Sequence, residues 1–259
     1  MQEPPGRVRV ARMANGMKAK DMKIEGFKSI VCLTKSTAYG DLSPYDLWDE
    51  QGRNMENVWQ FSKLYPTVPK TTQRRSRFDQ TVIWEWPEET HVKVLNQETG
   101  EWTVTPEYLA WRKAGMNAKE AIRYPVGHNH RHTCKCAFAE NPDGTINPQP
   151  LDYVQSRKLI YLPLYTRLVQ KKDRFHKLRQ EWLSGTNLLI IEVDGPHSES
   201  LSYYQQTYGV PENWIEHHSI ECSKVNMEIM LNDPKHAFGH GYCLALAIQG
   251  IRLDGVNYN

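Results

Sequence analysis

The sequence predicts an α+β fold with α/β-like character, in which helices pack round a small central sheet within a single domain carrying a β-rich insertion. Three stretches lead to it. Residues 187–194 (NLLIIEVD) form a nearly unbroken apolar run, the pattern of a central strand buried on both faces. Residues 151–185 hold the strongest helical periodicity in the chain. Residues 66–150 contain short β-type runs such as TVIWEW at 81–86, separated by turn residues, and read as the insertion. The chain has 259 residues, enough to bury a sizeable core, and its 39% hydrophobic and 24% charged residues are ordinary for a globular protein.

A formal net charge of +2 provides no global field toward nucleic acid or a membrane. No apolar run approaches the roughly 20 residues of a membrane span, and no apolar leader core is seen near residue 1. Five cysteines, an odd and sparse set, suit a reducing compartment better than a disulfide framework. The expectation is therefore a cytoplasmic protein, or a nuclear one where the cell has a nucleus, with no membrane partner. The oligomeric state is left open.

In chain order, residues 1–25 are read as a basic N-terminal arm. Arg7, Arg9, Arg12, Lys18, Lys20 and Lys23 face only Glu3 and Asp21 there; such an arm can touch phosphates, but a mobile or loosely packed terminus is the preferred reading. The apolar run at 29–33 is a first strand, delivering the turn-rich loop at 39–44 to a sheet edge. Asn54 caps a helix by accepting a backbone N–H, with Glu56 in its first turn where the helix dipole favours an anion. Strands are expected at 81–86, 91–95 and 101–104, with a turn at 96–100. Thr105-Pro106 opens a helix through Lys113, and Asn117 caps another through Arg123. Residues 141–150, with three prolines, form a connecting loop. One helix precedes Pro163, a second covers about 163–170 and a third 173–184, with Gly185 as its stop. Ser198 caps a helix through Tyr203 and Tyr204, 223–231 is helical, and 241–248 is a buried helix of small apolar residues.

The chemistry-bearing residues cluster at three places. Glu56, Gln60 and Lys63 fall at i, i+4 and i+7, hence on one helix face, while Val58, Phe61 and Leu64 mark an apolar one. A carboxylate, an amide and an ammonium beside Trp59 can line a polar pocket; the same spacing also describes a solvated face with an ion pair. Glu192 and Asp194 stand on one side of a strand at its C-terminal end, the edge where α/β sheets bind ligands. Gly239-His240-Gly241 can bring backbone N–H groups close to an anion. Separately, if residues 127–136 (GHNHRHTCKC) are extended, His128, His130, His132, Cys134 and Cys136 share one face and offer zinc-type ligands. A polar segment feeding histidines into a pocket is the preferred alternative. A basic cluster at 70–77 (KTTQRRSR) is either a phosphate grip or a solvated loop.

Tyr39-Gly40-x-Leu42-Ser43 followed by Glu56-x-x-Trp59-Gln60-x-x-Lys63 resembles the signature of the NADAR family, and the chain as a whole resembles proteins of large DNA viruses and phages. The resemblance implies an N-glycosidase-like hydrolase cleaving an N-ribosyl or ADP-ribosyl bond on a nucleotide or nucleobase, with no metal and no cofactor. It implies Glu56 as water-activating base or electrostatic stabiliser and Asp194 as its supporting carboxylate. Tyr39, Gly40, Ser43, Trp59, Gln60, Lys63, Glu192, Gly239 and Gly241 become substrate-binding candidates, and the partner is a nucleotide, an ADP-ribosyl small molecule or a modified nucleic acid. The chain departs from the pattern where Asn57 replaces the usual His. An Asp-x-x-Trp-Gly element has only Asp194-Gly195-Pro196 as stand-in. Two other classes stand beside this one: a non-catalytic nucleotide-binding or virion-associated protein, and a metal-dependent nucleic-acid-processing enzyme centred on 128–136.

Overall fold

The computed structural model describes residues 4–14, 16–92, 98–101 and 103–258. It shows the expected α+β class, with helices and several small sheets. The chain divides into two compact units. Met1–Ser43 and Leu162–Asn259 together make the first, and Pro44–Tyr161, inserted between them, makes the second. The insertion read at 66–150 lies inside that second unit, which begins earlier and ends later.

The first unit starts with β1 (Val8–Arg12) and β2 (Phe27–Val31). The second holds α1 (Met55–Phe61), β3 (Lys63–Leu64), β4 (Thr67–Val68), β5 (Val82–Ile83), β6 (Thr90–His91) and α2 (Pro106–Met116). It closes with β7 (Ala121–Ile122), β8 (Cys136–Ala137) and α3 (Tyr153–Ser156). The chain then returns to the first unit through α4 (Leu162–Val169), α5 (Asp173–Leu183), β9 (Asn187–Glu192) and α6 (Leu201–Tyr208). Last come β10 (Ser219–Glu221), α7 (Lys224–Asn232) and α8 (His240–Gln249).

In the first unit a four-stranded sheet runs β10-β1-β9-β2. The apolar run predicted as a central strand is central: β9 pairs parallel with β1 on one side, Val10 opposite Ile190, and parallel with β2 on the other, Ile30 opposite Ile190. Leu188, Leu189, Ile190 and Ile191 are all buried, as burial on both faces demands. Alternation sends Leu189 and Ile191 to a cluster with Ala11 and Met22 on one face. The opposite face, carrying Glu192, meets α8, whose residues from His240 to Ile248 are buried. α8 also packs against α4 and α5.

The reading of 1–25 as a loose basic arm is corrected here. Val8–Arg12 is an interior strand with Val8, Val10 and Ala11 buried. Arginines at 7, 9 and 12 mask its pattern. Arg9 is itself buried, because its guanidinium donates to Ser219 Oγ at 2.8 Å and to Ser219 O at 3.0 Å, so its charge is solvated by the neighbouring strand.

The helices around 151–185 appear as predicted, with one refinement. Residues Arg157–Tyr161 form a π turn immediately before α4, in which Pro163 is the second residue. Proline lacks an N–H and crowds the preceding turn, and the wider π turn relieves that conflict. The helix expected to start at Ser198 begins later: Ser198–Ser200 is a 3₁₀ turn, and Ser200 stands at the N-cap of α6.

The second unit gathers its core on α1 and α2, with Phe61 against Trp111 at 4.6 Å between ring centroids. Thr105 caps α2 as expected, accepting from Tyr108 N–H. Asn117 does not cap a further helix. It closes α2, and Ala121–Ile122 is instead strand β7, parallel to β5. The cause is Asn57, whose Oδ1 accepts Ile122 N–H at 2.8 Å while its Nδ2 donates to Ala118 O and Glu120 O at 3.2 and 3.0 Å. Three backbone groups of 118–122 are thus held in place by one side chain, overriding local helix preference. The strand expected at 81–86 shortens to Val82–Ile83. Of 91–95, His91 pairs in β6 and 93–95 lie outside the described residues. Residues 101, 103 and 104 are not strand, and 102 lies outside the described residues.

Candidate functional site

Asn54 caps α1 as its sequence requires, its side chain accepting Glu56 N–H at 3.0 Å while its amide donates to Tyr45 O and Leu47 O. That cap fixes the first turn and with it Glu56, which is 5% exposed. Gln60 Nε2 donates to Glu56 Oε1 at 2.8 Å, and Lys63 Nζ donates to Gln60 Oε1 at 2.9 Å. The amide is oriented from both ends, since only its oxygen can take the ammonium and only its NH₂ can serve the carboxylate. Lys63 belongs to β3 rather than to the helix, which ends at Phe61, yet its side chain reaches back to the same face. Its ammonium lies 4.6 Å from the Trp59 ring, and Trp59 lies 4.9 Å from Tyr161. The polar row predicted from spacing is therefore a relay that runs from buried Glu56 to half-buried Gln60 and Lys63, with two aromatic rings beside it. Tyr161 carried no spacing signal; it arrives through the π turn.

The Tyr39 loop belongs to the first unit. Residues Gly40–Leu42 form a 3₁₀ turn, and Ser43 Oγ donates to Gly40 O at 2.6 Å. A Cβ on Gly40 would stand 2.3 Å from Lys35 O, so no larger residue fits. Ser43 is fully buried and spends its hydroxyl inside the turn, which makes it a structural member. Tyr39 is half-buried, with the Arg174 guanidinium 5.3 Å from its ring and bonded to Asp41 at 2.8 Å. These groups line a cavity of about 380 Å³ together with Asp173, Lys177 and Glu181.

Glu192, Gly239 and Gly241 do come together, also in the first unit. Glu192 is 1% exposed, and its Oε2 accepts Asp194 N–H at 2.7 Å. Its Oε1 lies 3.2 Å from His240 Nδ1, while His240 Nε2 lies 2.6 Å from Cys32 O. A Cβ on Gly239 would fall 2.3 Å from Glu192 Oε2, and one on Gly241 would fall 2.9 Å from Glu192 Cβ. The place at the start of α8 where an anion was expected is filled by the chain's own carboxylate. Asp194 is half-buried, beyond the end of β9. Glu56 and its relay belong to one unit, and Asp194, Glu192 and the glycines to the other.

Residues 127–136 are not extended. His128–Thr133 is a 3₁₀ turn, which removes the period-two face on which five ligands were to align. Cys136 is buried in β8, where burial pushes its thiol up to about 12. Among the described residues no group of three His, Cys, Asp or Glu side chains is placed to hold a metal ion. His128 and His130 line a cleft of about 260 Å³ with Lys70, Thr71, Arg74 and Gly127, and Arg74 is paired with Glu85 at 3.1 Å.

No helix of the described residues is long and apolar enough to cross a membrane. Protein-family models, curated proteins and solved structures give no match to this chain.

Proposed function

We propose that the second unit carries an N-glycosidase-like hydrolytic site built on Glu56, acting on an N-ribosyl or ADP-ribosyl bond of a nucleotide or nucleobase. The observation that supports it is a nearly buried carboxylate whose geometry is set by a Gln60–Lys63 relay beside the Trp59–Tyr161 ring pair. Cleavage of a C–N glycosidic bond passes through an oxocarbenium-like centre, which an adjacent carboxylate stabilises and which water then attacks. In this reading Glu56 takes the proton of that water as its oxygen bonds to the anomeric carbon. The C–N electron pair leaves with the base nitrogen, which is protonated from solvent. Lys63 attracts phosphate, and Trp59 with Tyr161 offers apolar surface to the base. Glu56 alone carries the step, and no group of the first unit takes part.

The test is release of free ADP-ribose from ADP-ribosylated guanosine by the full chain, followed chromatographically. Wild type should turn over, and Glu56→Gln should reduce the rate by about 10²-fold or more while leaving the circular dichroism spectrum unchanged. Equal release by both proteins removes Glu56 from the chemistry. Binding without release by wild type favours the nucleotide-binding reading, to which the cleft of Lys70, Arg74, His128 and His130 also lends itself.

A further inference from the structure

In the first unit, Asp233, His236 and Ser200 stand in line. His236 Nδ1 is 2.6 Å from Asp233 Oδ2, and His236 Nε2 is 2.9 Å from Ser200 Oγ. Asp233 is completely buried, and its other oxygen, Oδ1, accepts from Tyr203 Oη and from Lys235 N–H, each at 2.9 Å. An ionised carboxylate only accepts, so the proton between it and the imidazole sits on Nδ1. In a neutral ring that leaves Nε2 with its lone pair toward Ser200, whose hydroxyl donates to it.

Ser200 is placed unusually for a serine at a helix start. It occupies the N-cap of α6 but makes no capping bond, turning its hydroxyl to His236 instead. A capping serine typically contributes about 1 kcal/mol to its helix, so the hydroxyl has been diverted from a stabilising role. The imidazole is fixed by more than its two bonds. His197 lies 4.5 Å from it, Tyr204 5.2 Å and Tyr203 5.6 Å between ring centroids, with Tyr204 Oη 3.0 Å from Nδ1. His197 is held in turn by Glu199, which pairs with Arg12 at 2.7 Å. His236 is 8% exposed, whereas Ser200 is only half-buried and open to a small reactant.

We propose that Ser200, His236 and Asp233 form a nucleophilic triad that hydrolyses short-chain carboxylic esters. The spacing is that of a nucleophile, a general base and the group that orients the base, an arrangement recognised by geometry rather than by sequence order. Ser200 Oγ bonds to the ester carbonyl carbon as its proton moves to His236 Nε2. The C–O bond to the alcohol then breaks, and the departing oxygen takes that proton. Water attacks the acyl-serine, gives a proton to Nε2, and the carboxylic acid leaves as Ser200 regains its hydrogen. Asp233 remains ionised and holds the ring tautomer throughout. A short acyl group is specified because the His197, Tyr203 and Tyr204 rings crowd the imidazole that the ester must approach. The inference uses first-unit residues only and stands whether or not Glu56 is a hydrolytic group.

The test treats the full chain with diisopropyl fluorophosphate, which phosphorylates activated serines with loss of fluoride, and in parallel follows p-nitrophenyl acetate hydrolysis. One covalent adduct is expected, mapped by peptide mass to Ser200, and Ser200→Ala should lose both the adduct and the ester hydrolysis above background. His236→Gln should slow labelling by about 10²-fold or more. Absence of an adduct on wild type, or an adduct at another residue, overturns the proposal without needing any variant to fold.

Discussion

His240 stands against Glu192 in the core of the first unit, between that carboxyl group and a backbone carbonyl. His240 Nε2 faces the Cys32 carbonyl at 2.6 Å and its Nδ1 faces Glu192 Oε1 at 3.2 Å, so both ring nitrogens meet acceptors. Either the ring is an imidazolium beside a carboxylate, or Glu192 keeps a proton and donates it to Nδ1. Both residues are almost completely buried, which makes each depend on the other.

Removing both members should therefore cost less than the two separate removals added together. Glu192→Ala is expected to lower unfolding free energy by about 3 kcal/mol, through loss of the carboxylate beside His240 Nδ1 and a small cavity. Glu192→Leu combined with His240→Leu should lose less than the two single Leu substitutions summed. Urea denaturation of the four proteins measures this coupling, and strict additivity would show that the pair is not one unit.

In the second unit, Gln60→Leu should cut the proposed hydrolysis by about tenfold, a smaller loss than Glu56→Gln gives, because it releases the carboxylate from its fixed rotamer without deleting it. Lys63→Met should leave kcat nearer wild type and raise KM if its ammonium meets phosphate. Steady-state kinetics separates the two. A Gln60→Leu enzyme with unaltered kcat would leave the relay a packing feature.

Arg53 is the main ionic cross-link of the second unit. Its Nε bonds Asp49 at 2.8 Å, and its two terminal nitrogens grip Glu140 at 2.9 and 2.8 Å, with the Asp49 side chain 3% exposed. Arg53→Met should destabilise the protein by about 3 kcal/mol by leaving Asp49 buried without its cation. Arg53→Lys should recover part of this, since an ammonium supplies charge but no two-pronged fork. Thermal unfolding provides the readout, and equal melting points for Lys and Met would make the fork irrelevant.

Asp233 gives a pH dependence whose sign is fixed. Burial alone would raise its pKa, but the bonds from His236, Lys235 N–H and Tyr203 outweigh burial and hold it below the usual carboxylate value. The folded state therefore binds this proton less readily than the unfolded chain. Its stabilising effect is complete above about pH 4, near the unfolded carboxyl value, and is lost as pH falls through the folded one. Asp233→Asn should be less stable at neutral pH and show a flatter fall in acid. Denaturant midpoints from pH 2 to pH 6 decide it, and parallel curves for the two proteins would reject the assignment.

What could be read in advance follows the range of the forces involved. Local signals were legible. The Asn54 cap, Thr105-Pro106 at the start of α2, the helix read at 223–231 and the apolar run of β9 all appear where their chemistry puts them. The Glu56–Gln60 contact is an i, i+4 pair and needed nothing beyond helix geometry. Long-range decisions were not legible. β1 hides behind three arginines whose partners lie on other elements, and β7 is dictated by Asn57, 65 residues earlier than Ile122. Ser200 and His236 are 36 residues apart with no motif between them, so their meeting is visible only in three dimensions.

The sheet order also sets a timetable for biosynthesis. Arg7 bonds to Asn187 across 180 residues, and β1 takes both its neighbours, β9 and β10, from the last third of the chain. β1 leaves the ribosome well before either neighbour and must wait, unpaired and partly greasy, while the whole of Pro44–Tyr161 emerges and is free to collapse first. Closing so distant a loop adds little to the equilibrium cost but delays assembly, so nascent chains stalled before residue 187 should be favoured clients of chaperones.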